Sequence, residues 1–141
     1  MAIINPYLNF QGNTEDAFKF YKSVFGGEFV TFQRFSDTPQ GPQLPEDERN
    51  KVMHVALPIK GNILMGTDFL KSMGHEFRPG NNISISVNPD SKEEATKIFN
   101  GLAAGGTVTM PLEDAFWGAY FGMLTDKFGI QWMVNYEYPK K

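Results

Sequence analysis

Between Asn13 and Gly27 the apolar residues Ala17, Phe20, Tyr21, Val24 and Phe25 recur at i, i+3, i+4, i+7 and i+8, which is the spacing of one helical face. Asn13 or Thr14 can cap the first amides of this predicted helix. Glu15 and Asp16 complement the positive end of its dipole, and Gly26-Gly27 supply a left-handed exit. The same template returns at Ala95, Ile98, Phe99, Leu102 and Ala103. It follows Ser91 and Glu94 in capping-box spacing and precedes Gly105-Gly106.

The flanks repeat as well. Ile4 to Phe10 reads as a strand before the first helix, and Glu28 to Phe35, Val52 to Ile59 and Asn62 to Thr67 read as three more after it, the last two joined by a tight Lys60-Gly61 turn. Asn82 to Val87 precedes the second helix, and Thr107 to Met110, Tyr120 to Thr125 and Ile130 to Tyr136 follow it. Each half spells strand, helix and three strands. That order predicts an α+β fold built from a duplicated βαβββ unit and argues against a doubly wound sheet, in which strands and helices alternate singly. A single domain over 1–141 is expected, with unit 1 over about 1–69, a connector over about 70–80 and unit 2 over about 81–141. Ser36 to Asn50 is polar, carries three prolines and is too long for a hairpin turn, so it is expected as a surface loop or flap. Phe69, Leu70, Met73 and Phe77 give the connector apolar side chains to pack.

Composition narrows the partners. With 41% hydrophobic and 21% charged residues the chain can bury a real core, and 14% aromatic residues suit a cavity or a dimer seam. A net charge of −3 and the lack of any basic run argue against nucleic-acid binding. Cysteine is absent, which removes disulfides, thiolate metal sites and cysteine nucleophiles. The opening Met-Ala-Ile-Ile-Asn-Pro lacks a basic and then apolar leader pattern, and no apolar run approaches the ~20 residues of a membrane span. A cytoplasmic location with no membrane partner is the expectation.

Four stretches carry a family resemblance. They are Asn5-Pro-Tyr-Leu-Asn-Phe10, Ala17-Phe-Lys-Phe-Tyr-Lys-Ser-Val-Phe-Gly-Gly27, Val52-Met-His-Val-Ala-Leu57, and Phe116-Trp-Gly-Ala-Tyr-Phe-Gly122 with Asp126-Lys-Phe-Gly-Ile-Gln-Trp132. Together they resemble the PhnB-like branch of the vicinal oxygen chelate superfamily, which includes glyoxalase I, bleomycin and fosfomycin resistance proteins and extradiol dioxygenases. The resemblance implies that each βαβββ unit curves into a half-barrel, that two units enclose a cup, and that the protein forms a homodimer. In the superfamily's enzymes His, Glu or Gln side chains hold a divalent metal that chelates two neighbouring substrate oxygens. Carried onto this chain, those ligand positions fall on Pro6, Asn82, Met65 or Gly66, and Met133. A slip of one residue brings Asn5, Tyr7, Asn81, Ile83, Trp132 or Val134. None of these is a usual hard-metal ligand, so no metal and no other cofactor is expected.

The candidate residues each have a competing structural role. His54, on a predicted core strand, could move a proton near neutral pH or simply be satisfied by a neighbour. Asp68 could act as an acid, a base or an outer ligand, or could bind turn amides; Asp126 is expected in that turn role, before Gly129. His75, beside Glu76 in the connector, is expected to be exposed. Trp117, Tyr120 and Trp132 could line a cup and stack a planar ligand, or could form an aromatic core with Phe121. Met65 and Met133 could give that wall an adaptable surface, as could Met110; Arg34 and Gln131 could orient a carbonyl or anionic group, and Asn82 is a further cavity candidate. Strand alternation decides which face each one sees.

Dinucleotide, phosphate-loop, zincin and hydrolase motifs are absent. A methyltransferase label, sometimes attached to PhnB-like proteins, finds no glycine-rich nucleotide turn here. Two functions follow. One is a metal-free protein that binds a small, partly aromatic molecule. The other is an enzyme, a lyase, isomerase or dioxygenase-like catalyst, using a relocated metal site or acid-base groups around His54 and Asp68.

Overall fold

The computed structural model describes residues 2–140. Contacts divide the chain into two compact units, Met1–Arg78 and Pro79–Lys141, so residues 70–78 of the expected connector fall in the first and Pro79 and Gly80 in the second.

Unit 1 contains β1 (Tyr7–Phe10), α1 (Thr14–Phe25), β2 (Thr31–Arg34), α2 (Glu46–Arg49), β3 (Val52–Ile59) and β4 (Asn62–Asp68). Its sheet runs in the order β1-β4-β3-β2, with β1 parallel to β4 and the other pairs antiparallel. Unit 2 repeats the plan with β5 (Ile85–Val87), α3 (Lys92–Ala103), β6 (Thr107–Ala115), β7 (Ala119–Thr125) and β8 (Gln131–Glu137) in the order β5-β8-β7-β6, β5 lying parallel to β8. Each unit is therefore a βαβββ motif with an open mixed sheet, as the sequence predicts.

Element ends depart from the sequence pattern for identifiable reasons. β1 starts at Tyr7 and not at Ile4 because Pro6 has no N–H to pair and the Asn5 side chain takes over, its Oδ1 accepting from Ile63 N at 2.9 Å. β5 starts at Ile85 and not at Asn82; Gln131 Nε2 donates to the Ile83 carbonyl at 2.6 Å where a ladder bond would lie. β6 runs on through Pro111 to Ala115, beyond the expected stop at Met110, because an edge strand tolerates a missing N–H. The segment expected as a loop at 36–50 is ordered into 3-10 turns at Phe35–Asp37 and Gly41–Gln43 followed by α2, with Phe35 buried beneath it.

Helix α3 buries Ala95, Ile98, Phe99 and Leu102, the stripe read from the sequence, and the Ser91 hydroxyl accepts from Glu94 N at 3.0 Å as a cap. In α1 the buried stripe is Thr14, Ala17, Phe18 and Tyr21, shifted toward Phe18, whose ring packs edge-on to Phe10 and Tyr21. Glycine lets each helix approach its sheet closely. A Cβ on Gly66 would lie 2.5 Å from Phe18 Cε1, and one on Gly122 would lie 2.7 Å from Phe99 Cε2 and 2.9 Å from Leu112 Cα. Gly66→Ala and Gly122→Ala are each expected to lose about 1–3 kcal/mol in urea unfolding through overpacking. Gly61→Ala, with open space around it, serves as the neutral control.

Candidate functional site

Phe18 of α1 presses on Gly66, so the even-numbered positions of β4 face the helix and the odd ones face away. Cross-strand pairing extends that assignment through the sheet. Tyr7, Met65, Ala56 and Thr31 form one row of partners; Asn9 pairs with Thr67, and His54 with Gln33. This face of unit 1 thus carries Tyr7, Asn9, Thr67, His54 and Gln33, all hydrogen-bonding side chains, with Met65 among them.

Tyr7 and His54 are joined there. The Tyr7 hydroxyl lies 3.2 Å from His54 Nδ1, and the rings stack at 5.7 Å between centroids with 28° between planes. Burial raises the Tyr7 hydroxyl above its ordinary pKa, while a hydrogen bond with Thr67 pulls it back in part. Tyr7 therefore stays protonated throughout the neutral range and remains able to donate. Thr67 in turn donates from Oγ1 to the Met53 carbonyl at 2.7 Å. Of these residues, Tyr7, Asn9, Thr67 and Gln33 were not singled out as binding residues from the sequence. The signal was present, since Leu8 and Phe10 alternate with Tyr7 and Asn9 along one short strand.

Asp68 lies on the opposite, helix-facing side. It is 1% exposed, and Oδ1 accepts from Gly12 N at 3.0 Å, Thr14 N at 3.0 Å and Thr14 Oγ1 at 2.6 Å, while Oδ2 accepts from Val52 N at 2.8 Å. It caps α1, the role that Asn13 or Thr14 was expected to fill, and the Asn13 side chain makes no cap bond. The pairing of His54 with Asp68 as a relocated site does not form, because strand alternation sends the two to opposite faces of the sheet.

The remaining candidates separate in the same way. Arg34 is clamped by Glu15 through two bonds of 3.0 and 2.9 Å and also donates to the Asn50 carbonyl at 2.8 Å. The Arg34 guanidinium holds the Glu15 carboxyl below its usual range. Arg34 joins β2 to α1 and is not placed to orient a ligand. In unit 2, Phe99 of α3 presses on Gly122, so the even positions of β7 face the helix. Tyr120 is one of them: its hydroxyl lies 3.4 Å from Thr96 Oγ1 and its ring 4.7 Å from Lys92 Nζ, both on α3. Trp132 pairs with Leu124 on that helix side, is 1% exposed, and donates from Nε1 to Asp126 Oδ2 at 2.8 Å. Tyr120 and Trp132, expected to line a cup, belong instead to the helix-covered side of their sheet.

Met133, paired with Met123, and Gln131, paired with Thr125, occupy the face away from α3, although Gln131 spends its amide on Ile83. Asn82 is exposed and precedes β5. Trp117 sits at the β6–β7 turn, 52% exposed, edge-on to Phe116 and to the buried Phe121. His75 is exposed, and its Nδ1 accepts from Leu70 N at 2.9 Å. Asp126 holds the β7–β8 turn by accepting from Phe128 N and Ile130 N, as expected.

The superfamily's divalent metal was tested against these residues. Pro6, Met65, Gly66, Asn82 and Met133 offer no carboxylate or imidazole, and among the described residues no three His, Cys, Asp or Glu side chains gather where they could hold an ion. The residues do not fit a hard divalent cation. Among the described residues no helix is long and apolar enough to cross a membrane.

Solved structures share this architecture. Protein PA1353 from Pseudomonas aeruginosa is 42% identical, with a TM-score of 0.86 over 97% of this chain and 98% of its own. A putative 3-demethylubiquinone-9 3-methyltransferase, PhnB protein, from Bacillus cereus is 29% identical, with a TM-score of 0.76 over 96% and 99%. A glyoxalase-related enzyme from Fulvimarina pelagi, 18% identical with a TM-score of 0.65 over 97% and 89%, shares the fold. A family model described as 3-demethylubiquinone-9 3-methyltransferase matches residues 2–135, and the chain belongs to that family, to which the PhnB protein of Bacillus cereus is also similar.

Proposed function

We propose that the protein binds a small, uncharged, partly aromatic molecule on the face of its first sheet that turns away from α1, and that it does so without a divalent metal. The observation that supports this reading is the Tyr7–His54 pair, set among Asn9, Thr67, Gln33 and Met65 on a face that carries no carboxylate, lysine or arginine from these rows. The Tyr7 hydroxyl can donate to a carbonyl or ether oxygen, and the adjoining rings and Met65 accept an apolar body. The charges nearest in sequence, Arg34 and Asp68, are both held by internal partners and do not contribute a charge to this face.

The reading extends to a homodimer in the cytoplasm. Phe116, 98% exposed beside Trp117, supports a self-association surface, and sedimentation equilibrium at a single-chain mass would refute it. The methyl transfer named in the family's description is not part of the proposal. The strand-to-helix turns, Gln11-Gly12-Asn13 and Asn88-Pro89-Asp90-Ser91, hold one glycine between them, unlike the glycine-rich turns that cradle nucleotide cofactors.

Catalysis is the second reading, favoured by the same pair: an imidazole in contact with a phenol is a possible acid-base couple. Asp68 has no part in it. A thermal-shift screen of neutral aromatic carbonyl compounds tests the binding proposal, since a ligand selective for the folded state raises the melting temperature. Tyr7→Phe removes the donor and is expected to weaken any hit by about tenfold, the loss of roughly 1.4 kcal/mol from one hydrogen bond, with little change in the melting temperature of the unliganded protein. Compounds that stabilise the wild type and Tyr7→Phe equally would count against this face.

A further inference from the structure

Tyrosines gather at one end of the second sheet, on the side that faces α3. Asp114 of β6 pairs with Tyr120 of β7, and Tyr120 with Tyr136 of β8, so these three side chains project from one face. Strand pairing continues one step further, with Tyr138 N donating to the Gly118 carbonyl at 3.1 Å, and alternation keeps Tyr138 on the face of Tyr136. The two rings meet edge-on at 5.6 Å between centroids, and the Tyr138 hydroxyl donates to Asp114 Oδ1.

A cation already lies over these rings. Lys92, the first residue of α3, places Nζ 4.7 Å from the Tyr120 ring centroid and 5.8 Å from that of Tyr138, so two aromatic faces look onto one point. A hydrogen bond with Tyr138, and to a smaller degree the charge of Asp114, raises the Lys92 ammonium above its ordinary pKa. Lys92 is exposed, whereas Tyr120 and Tyr138 are half-buried. The rings are thus fixed parts of the sheet, and the ammonium over them is a tethered group on a flexible stem.

We propose that Tyr120, Tyr138 and Asp114 form a binding site for a small methylated ammonium ion, with Lys92 as its displaceable internal occupant. The negative face of an aromatic ring attracts a cation most when the cation gives up little water to reach it. A primary ammonium is a compact and strongly hydrated charge, whereas a quaternary one spreads its charge over methyl groups and donates no hydrogen bonds. The same two rings therefore favour the methylated ion over Lys92, and the Asp114 carboxylate adds attraction for either. Lys92 vacates the point by rotating about its own side-chain bonds.

The test titrates choline into the full chain and follows the ring NMR signals of Tyr120 and Tyr138. Saturable shifts of both are expected. Its neutral isostere 3,3-dimethylbutan-1-ol and sodium chloride at equal concentration are expected to leave them in place. Lys92→Met keeps the length of the side chain and removes its charge. It is expected to tighten choline binding by about tenfold, the gain for a site that an internal competitor fills about nine-tenths of the time. Tyr138→Leu is expected to abolish the Tyr120 shift while the melting temperature stays near that of the wild type. Absence of a saturable shift in Lys92→Met, equal shifts from the neutral isostere, equal affinity in wild type and Lys92→Met, or full binding by Tyr138→Leu would each overturn the proposal. None of these results bears on ligand binding at Tyr7 and His54, which lie in the first unit.

Discussion

Asp68→Ala is expected to lower the unfolding free energy by about 4 kcal/mol or more, measured by urea denaturation at neutral pH. Four donors converge on this carboxylate: the amides of Gly12, Thr14 and Val52 and the Thr14 hydroxyl. Asp68 and Thr14 are both fully buried, so water reaches the vacated space poorly. Each buried donor left without an acceptor costs roughly 1–3 kcal/mol, and the contributions fall below a simple sum because the Thr14 hydroxyl can rotate and one amide can recover a water. The damage is not local to one turn. The same carboxylate fixes the entry to α1 and the first amide of β3, and so ties the helix, the β1–α1 turn and the start of the central hairpin together. Asp68→Asn is expected to fall between wild type and alanine, because one of its two terminal atoms becomes a donor facing donors. If Asp68 were instead a catalytic group, alanine would abolish activity while leaving stability near wild type; that combination would refute the capping role.

Trp132→Ala is expected to cost about 3–5 kcal/mol, the range for removing a fully buried large aromatic side chain. Trp132 is 1% exposed, pairs across the sheet with Leu124 and Ile85, and donates its indole N–H to Asp126. Asp126 also accepts from Phe128 N and Ile130 N, so the indole and the β7–β8 turn hold one carboxylate in common. Trp132→Phe keeps most of the apolar volume but gives up the N–H, and should lose less than alanine. Trp117→Ala is the contrast. Its side chain is 52% exposed and the change should stay within about 0.5 kcal/mol, the usual span for surface substitutions. Equal destabilisation by the two tryptophan variants would contradict the placement of one inside and one at the surface.

These two residues show where sequence reading stops. The duplicated βαβββ order was legible because each helix kept a 3.6-residue apolar stripe and each strand was punctuated by glycine, proline or asparagine. Boundaries were less so. β6 passes through Pro111 because it is an edge strand, and edge position is a property of the assembled sheet. Facing was the larger difficulty. The motif around Trp117, Tyr120 and Trp132 signalled aromatic function or aromatic core with equal force, and only the approach of Phe99 to Gly122 establishes that Tyr120 and Trp132 turn toward α3. Asp68 and His54 sit near each other along β4 and β3, yet pleating sends them to opposite sides. Tyr7 and Asn9 were visible as an alternation, but their link to His54 depends on β1 pairing in parallel with β4, a long-range choice that no local pattern encodes.

The contrast between the repeats follows from the same alternation. The face away from α1 carries a band of polar groups, whereas the corresponding face of the second sheet carries Met123, Met133 and Phe121.

The proposal that the first sheet binds a neutral ligand through Tyr7 and His54 can be examined directly by heteronuclear NMR, titrating the most stabilising aromatic carbonyl compound from the thermal screen into labelled protein. The account predicts that the largest shift changes gather on Tyr7, Asn9, Gln33, His54, Met65 and Thr67. Changes gathered instead on the α1 or α3 side of the sheets, or around Phe116 and Trp117 alone, would contradict it.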